Sequence, residues 1–368
     1  MSESQSAPSS RPSKTNPADT EKRTLGPSDH ESLKQPLTKR SDVALREEVE
    51  EFEDLQYAAP ACSWREGVFR WQEYIKDKQD TSAVFENLYG DRVEGGDPHR
   101  FAPEYADKQY AKLKDLERGL RDEYGKRLHT AMLTLTASST DESGNPLPPV
   151  DHLEGPEGLL ASWSAVTRAL RRAMDGKRYE RLAILEPHES GYLHVHIAVF
   201  VDGVVSAEDF APVIEAHLRN CGRAGEEAHD LADDSTVSVN HVGADRAEDT
   251  IGNLGTYLAE YLGAYGDEAL EAPDHQQKAN AVLWATGKRR WRPSRGAQEY
   301  MATNRGDDEG VSEWELVGMK DANGDVHEVA EGAGGVSRFT TDYTELGVDE
   351  TDGEPPPKWG ELSTDSRS

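Results

Sequence analysis

Residues 191–203 read GYLHVHIAVFVDG, an apolar and β-branched run that ends in an Asp-Gly turn. Such a run predicts a β-strand, because β-branched and aromatic residues fit a pleated surface. Side chains alternate between the faces of a strand, so His194 and His196 share one face, and the valines and isoleucine around them share the other. Two imidazoles on one face suggest a metal site.

The elements around this strand follow the periods of strands and helices. Strand patterns are predicted at 131–137, 179–185 and 236–240, and amphipathic helices at 159–174 and 207–219. Together they give the order β-α-β-β-α-β. This order predicts an α+β fold, a ferredoxin-like antiparallel sheet with two helices on one face. If these helices cover the valine side of the sheet, its histidine side is left for a ligand or a later helix.

The composition is strongly acidic. The chain has 70 acidic and 41 basic residues and a formal net charge of -29. This charge causes self-repulsion in dilute salt and repels nucleic acid, unless salt shortens the Debye length to about 3 Å at 1 M. The simplest setting is a salt-accumulating halophile, in which local basic clusters say more about partners than net charge does.

Nothing in the sequence predicts a membrane or secretory protein. No stretch approaches the roughly 18 apolar residues of a membrane span, and the polar N-terminus lacks the apolar core of a signal peptide. Cys62 and Cys221 match neither a disulfide framework nor a zinc-ligand spacing, so we expect ordinary small hydrophobic residues. We therefore expect a cytoplasmic protein without a membrane partner.

Patterning along the chain predicts one core flanked by extensions. The predicted regions are a disordered polar and acidic tail at 1–57, a helical N-terminal extension at 58–128, the core at 129–286, a basic segment with a small hairpin at 287–335, and a disordered acidic tail at 336–368.

Three features of the flanking regions have more specific interpretations. The stretch 62–71 mixes aromatic residues with arginine, which favours packing on the core over contact with DNA. Leucines at helical spacing predict a surface helix at 105–124. The runs 314–319 and 325–329 predict a hairpin around an Asn-Gly turn.

Glu186 strengthens the metal hypothesis for the two histidines. It ends the strand before theirs in a predicted hairpin, so its carboxylate can reach the same face. Two imidazoles and one carboxylate leave coordination positions open, as in catalytic sites for divalent cations. This ligand set alone favours Zn²⁺, Mn²⁺ or another transition metal. A hydrogen-bonded histidine pair without metal is the alternative, and His188 in the intervening turn is a weaker candidate ligand.

A later helix is predicted at 248–265. Leu254, Leu258 and Leu262 form one stripe along it, and tyrosines at 257, 261 and 265 form an adjoining one. If this helix lies across the histidine face, it brings tyrosines to the proposed metal site.

The densest basic cluster of the chain follows at 288–295. It could track phosphates and stack a base, as proteins that bind single strands do, or it could be a solvated linker. Its candidate DNA-binding residues are Lys288, Arg289, Arg290, Trp291, Arg292 and Arg295. No phosphate-binding loop of the helicase type is present in the sequence.

Three motifs in this order resemble those of the HUH endonucleases, the rolling-circle replication initiators. MLTLT at 132–136 is similar to the first motif of that family. HVH at 194–196 is similar to its His-hydrophobe-His motif, with Glu186 where related initiators carry a third ligand. YLAEY at 257–261 is similar to its two-tyrosine helix. The acidic composition resembles the initiators of haloarchaeal plasmids and viruses in particular.

The resemblance implies a fold, a chemistry and partners. It implies the HUH form of the ferredoxin-like sheet, with a nucleophile-bearing helix across the histidine face. Glu186, His194 and His196 would hold a divalent metal, Mn²⁺ or Mg²⁺. Tyr257 or Tyr261 would nick single-stranded origin DNA, leaving a 5′-phosphotyrosine and a free 3′-hydroxyl for rolling-circle replication, and would then rejoin the strand. The host would supply the helicase and the polymerase.

One departure from the family pattern and two other functions remain open. Glu260 stands where the family usually has lysine, which leaves the division of labour between the tyrosines undecided. A transposase or mobilisation nuclease would use the same motifs. A non-catalytic DNA-binding module could keep the fold and use the histidines structurally.

Overall fold

The structure of the protein is a computed structural model that describes residues 31–50, 62–96, 99–241, 269–302, 314–321 and 323–328. Its α-helices are α1 (Glu47–Glu50), α2 (Trp64–Asp80), α3 (Pro103–Tyr124), α4 (Pro149–Glu154), α5 (Trp163–Ala173), α6 (Ala211–Asn220), α7 (Asp274–Thr286) and α8 (Arg295–Ala302). Its strands are β1 (Ser82–Asn87), β2 (Arg92–Gly96), β3 (Leu128–Leu135), β4 (Tyr179–Pro187), β5 (Leu193–Asp202), β6 (Val237–His241), β7 (Trp291–Pro293), β8 (Trp314–Lys320) and β9 (Val326–Glu328).

A five-stranded sheet in the order β6-β3-β5-β4-β7 forms the centre of the molecule. Every neighbouring pair in it is antiparallel. Helix α5 lies between β3 and β4 along the chain, and α6 lies between β5 and β6. The prediction of an α+β fold with antiparallel strands is confirmed.

Strand β5 is buried on both faces because helices cover both sides of the sheet. Its odd-numbered residues, among them Val195 and Ile197, pack in the larger hydrophobic cluster with residues of α5 and α6, such as Leu170 and Val213. These two helices therefore cover the valine side of the sheet.

The histidine side of the sheet is partly covered by a helix from the N-terminal extension. Leu113, Leu116 and Leu120 of α3 pack on Ala198 and Phe200 of β5, in a second cluster to which α8 also contributes. The predicted surface helix thus buries one full stripe and occupies part of the face expected to remain for a ligand. The later helix predicted at 248–265 lies outside the described residues.

The N-terminal extension also packs on the main core through α2. Trp64 and Trp71 are fully buried, and the Trp64 indole Nε1 donates to the carbonyl of Lys278 in α7 at 3.0 Å. A capping box at Ser63 and Glu66 provides hydrogen-bond acceptors for backbone amides at the start of α2. Packing, the favoured interpretation of the aromatic stretch at 62–71, is confirmed for its two tryptophans, whereas Phe69 is exposed.

A second sheet, in the order β2-β1-β8-β9, joins distant parts of the chain. The predicted hairpin appears as β8 and β9, and Gly324 adopts the left-handed φ of 88° that its turn requires. Strand β8 also pairs with β1, so the segment expected to be a helical extension contains a hairpin as well.

Two smaller observations complete the fold. Cys62 and Cys221 are free and buried, as the sequence predicts. Among the described residues, no helix is both long and apolar enough to cross a membrane.

Candidate metal centre

The hairpin of β4 and β5 aligns the three candidate ligands. Glu186 pairs with His194 across the two strands, and Ile184 pairs with His196. Residues two apart on one strand and directly opposite across strands share a face. The sequence could therefore predict that Glu186, His194 and His196 meet, and the structure brings them together.

The turn between the two strands is tight. The His188 amide donates to the carbonyl of Tyr192 at 2.8 Å, and Gly191 has a φ of 91°. A Cβ at Gly191 would also lie 2.7 Å from the Cβ of Lys278, so glycine is needed for both the backbone angle and the space. His188 faces Ser190, with Nδ1 3.2 Å from its Oγ, and lies outside the ligand cluster.

The ligand atoms converge on one point. His194 Nε2 lies 3.2 Å from Glu186 Oε2 and 3.0 Å from His196 Nε2. His196 Nε2 contacts the same carboxylate oxygen. The three side chains together offer two nitrogens and one oxygen within 4.8 Å of one another. Nitrogen and carboxylate donors in this arrangement suit a divalent cation, so the cluster could hold a metal ion.

The carboxylate of Glu186 is ionised in this setting. Burial alone would raise its pKa, but hydrogen bonds with His194 and His196, and their charge, lower it to about 2. A cation bound here would take the place of this positive charge beside the carboxylate. The charge state of Glu186 therefore also suits a metal.

Thr134 orients one of the histidines. It pairs with His196 across β3 and β5, and its Oγ1 lies 3.2 Å from His196 Nδ1. With Nδ1 engaged by the hydroxyl, the Nε2 atom faces Glu186 and is the one available as a ligand. The sequence gives Thr134 as part of a motif, but its contact with His196 depends on which strand lies beside β5.

Three buried histidines support the end of strand β3. His217 Nε2 lies 2.8 Å from the carbonyl oxygen of Thr136, and the Thr136 amide donates to His229 Nε2 at 3.1 Å. His152 Nε2 lies 3.2 Å from the carbonyl of Ala137. Burial lowers the pKa of His152 and of His217 to about 4, and it also lowers that of His229. These neutral imidazoles fix the backbone just beyond Thr134.

The sequence does not reveal this support. His152 is buried and hydrogen-bonded, although no pattern in the sequence around it indicates either property. His241, by contrast, is an exposed residue whose Nε2 lies 2.9 Å from the Lys126 carbonyl. His217 and His229 carry no local signal, because their roles depend on packing against a distant strand.

The candidate nucleophiles lie beyond the described part of the chain. Tyr257, Tyr261 and the intervening Glu260 all fall in the range 242–268, which the structure does not describe. Their position relative to Glu186, His194 and His196 stays a prediction.

The basic segment is part of the sheet rather than a solvated linker. Strand β7 pairs with β4, so Trp291 lies opposite Ile184, which itself lies opposite His196. Arg292 points to the other face, 5.9 Å from the ring centre of Trp163.

The remaining basic candidates are distributed around β7. Lys288 pairs with Glu154 at 3.0 Å, and Arg295 is exposed at the start of α8. Arg289, Arg290 and Trp291 line a cavity together with residues of the N-terminal extension. The structure thus divides the cluster between two faces of the sheet.

The chain matches one family model and two relatives from Halobacterium. The family model described as "Putative rep protein (DUF1424)" matches residues 37–339. A relative from Halobacterium salinarum named "Uncharacterized 36 kDa protein" is 46% identical over 302 residues, which are 80% of this chain and 93% of the relative. A relative of the same name from Halobacterium sp. (strain GN101) is 46% identical over 288 residues, 75% of this chain and 86% of its own. No solved structure matches the chain significantly.

Proposed function

The chain belongs to this family of Rep proteins, and on that premise we propose that it is a replication initiator that nicks and rejoins single-stranded DNA. The proposed site is of the HUH endonuclease type, built on a ferredoxin-like sheet. The observation that carries the proposal is the Glu186, His194 and His196 cluster on one face of that sheet.

The strand order supports the HUH interpretation of the fold. The adjacent strands β3 and β5 carry Thr134 and the histidine pair side by side. Strand β4 adds Glu186 from the next position in the sheet. Motifs that are 60 residues apart in sequence thus become neighbours on one face, as one reaction site requires.

The chemistry follows from the residues that line this face. A divalent cation held by Glu186, His194 and His196 would neutralise negative charge on the oxygens of the scissile phosphate. The Thr134 hydroxyl keeps His196 in the orientation that such binding needs. The three ligand side chains are mostly buried, with 11–17% of their surface exposed to solvent.

Tyr257 or Tyr261 is the proposed nucleophile. The phenolate oxygen of the tyrosine attacks the phosphorus, the bond from phosphorus to the 3′ oxygen breaks, and that oxygen leaves as a hydroxyl after taking up a proton. The products are a 5′-phosphotyrosine and a free 3′-hydroxyl, and the reverse reaction rejoins the strand without ATP. Two tyrosines one helical turn apart could act in turn at initiation and termination.

Single-stranded origin DNA is the proposed substrate, and the host helicase and polymerase are the proposed partners. The cations near β7 supply positive charge on a chain that is otherwise strongly acidic. A sequence without a helicase-type phosphate loop fits an initiator that leaves unwinding to the host.

The test is a covalent adduct. The full-length protein is incubated in concentrated KCl with Mn²⁺ and single-stranded oligonucleotides tiled across the non-coding DNA beside the gene, and denaturing gels reveal the product. We expect an adduct that is lost in the Tyr257→Phe and Tyr261→Phe double variant and in His194→Ala. The Tyr265→Phe variant is the matched control and should keep it. Oligonucleotide binding without an adduct in the wild type would overturn the nuclease proposal and favour a non-catalytic DNA-binding module.

A further inference from the structure

A cavity of about 190 Å³ lies between the start of α3 and the segment that leads into β7. Its lining is unusual in this chain because it is rich in cations. They are Arg100, Lys112, Lys288, Arg289 and Arg290. Among the described residues that line the cavity, none is acidic, although acidic residues outnumber basic ones by 70 to 41 in the sequence.

Two of these arginines, Arg100 and Arg290, are held in place by hydrogen bonds. Arg100 donates from Nη1 to the carbonyl of Lys288 at 2.9 Å and from Nη2 to that of Leu283 at 2.6 Å. Arg290 donates to Asn280 Oδ1 at 2.7 Å. The pKa of Arg290 is lowered to about 9, first by burial and then by the positive charge of Arg100. An anion in the cavity would relieve that repulsion.

Aromatic rings stand beside these cations. The Trp291 indole Nε1 lies 3.1 Å from the hydroxyl of Tyr105, which fixes the orientation of the indole. Lys112 Nζ lies 6.0 Å from the centre of the same ring. Phe101 adds a second ring to the lining. An aromatic face for stacking next to fixed cations for phosphate is the combination that binds a nucleotide.

The cavity lies beside the metal centre. Trp291, Ile184 and His196 follow one another across three adjacent strands in one row. Neighbouring strands are about 4.8 Å apart, so the backbones of Trp291 and His196 are separated by about 10 Å. The negative charge of Glu186 also acts on Arg290 and partly offsets the lowering of its pKa. One nucleic acid strand could therefore contact both places.

We propose that this cavity binds one nucleotide, with its base against Trp291 and its phosphate beside Lys112 and Arg289. The cavity is distinct from the metal centre, and its role as a subsite for the DNA strand rests on the proposed function. A free nucleotide carries the same base and phosphate as a nucleotide within the DNA strand. The experiment therefore has to distinguish these two ligands.

Binding is measured without divalent metal, so that no cleavage is needed. The anisotropy of a labelled single-stranded oligonucleotide is followed with full-length protein over a series of KCl concentrations. The test variants are Lys112→Gln and Arg289→Gln, both at half-buried positions. The matched control is Arg171→Gln, which removes one exposed arginine from α5 on the opposite side of the sheet.

We expect each test variant to lose about tenfold in affinity, with the slope of log affinity against log salt reduced by about one. Arg171→Gln should behave as the wild type. A Trp291→Leu variant should also lose about tenfold, and its loss should persist at high salt because stacking is not screened. If Trp291→Leu fails to fold by circular dichroism, the two charge variants decide the question.

Deoxynucleoside monophosphates serve as competitors. Competition that is lost in Lys112→Gln and Arg289→Gln supports a nucleotide pocket open to free nucleotides, whereas affinity loss without competition supports a subsite for a strand. If both test variants bind the oligonucleotide like Arg171→Gln and no competition occurs, the pocket is overturned. If Lys112→Gln and Arg289→Gln bind like the wild type while the wild-type adduct still forms, only this inference is refuted. If the two variants lose affinity but the wild type forms no adduct, only the nuclease proposal is refuted.

Discussion

Thr134 Oγ1 lies 3.2 Å from Nδ1 of His196, on the strand next to the one that carries the histidine pair. This contact determines which nitrogen of His196 faces Glu186. A strand that contributes no ligand thus controls the geometry of the ligands on its neighbours.

We expect Thr134→Val to weaken Mn²⁺ binding by about 10- to 100-fold, because His196 loses the partner that fixes its ring. Isothermal titration calorimetry measures this affinity. The matched control is Thr130→Val, a buried threonine on the same face of β3 that pairs with Phe200. Equal affinities for the two variants would show that the Thr134 hydroxyl does not orient the ligand.

Metal should stabilise the fold through the three ligands. At a free Mn²⁺ concentration about 100 times the dissociation constant, the free energy of unfolding should rise by about 2.7 kcal/mol. Thermal melts would show this as a higher Tm. His194→Ala should abolish the shift, whereas His188→Ala, in the adjacent turn, should retain it. A shift that survives in His194→Ala would locate the ion elsewhere.

Acid should destabilise the protein through its buried histidines. The pKa values of His152 and His217 are about 4, below the usual 6.5, so the unfolded chain binds more protons between these values. Above pH 6.5 the imidazoles are neutral in both states, so this destabilising effect is absent. The free energy of unfolding falls as the pH drops from about 6.5 to about 4. The loss is about 1.4 kcal/mol for each pH unit and each histidine.

The measurement for this prediction is chemical denaturation at several pH values in constant concentrated KCl. His152→Gln can still donate a hydrogen bond to the Ala137 carbonyl but does not titrate, so its slope of stability against pH should be smaller than that of the wild type by about one proton. Identical slopes would mean that His152 titrates alike in both states.

Helix α3 should be essential to the core although it precedes the sheet. Leu116 is 1% exposed, and we expect Leu116→Ala to cost about 2–5 kcal/mol in free energy of unfolding, because the cavity it leaves lies against the sheet. Tyr110→Ala changes an exposed position of the same helix and should cost less than about 0.5 kcal/mol. Urea titrations would separate them, and a small effect at Leu116 would mean that α3 packs only loosely.

The sequence was sufficient where local patterns determine structure. Alternation in β4 and β5 and the short turn between them are enough to place Glu186 opposite His194. The helical spacing of Leu113, Leu116 and Leu120 likewise gave the correct stripe of α3. These inferences need only the period of the element and one tight turn.

Features that depend on distant pairing could not be read in this way. Strand β7 has only three residues, too few for a period, and the basic residues around it resemble those of a linker. The pairing of β1 with β8 joins residues more than 220 positions apart. Which helix covers the histidine face is also decided by packing, and α3 was not expected there.

The short strand β7 has a further consequence at the border of the sheet. It ends the five-stranded sheet next to β4, and its last residue, Pro293, has no amide hydrogen to offer. A second copy of the chain therefore finds no continuous row of donors along which to extend the sheet. In concentrated salt, where screening weakens the repulsion between acidic copies, this proline-terminated border offers fewer donors for edge-to-edge pairing than a longer strand without proline.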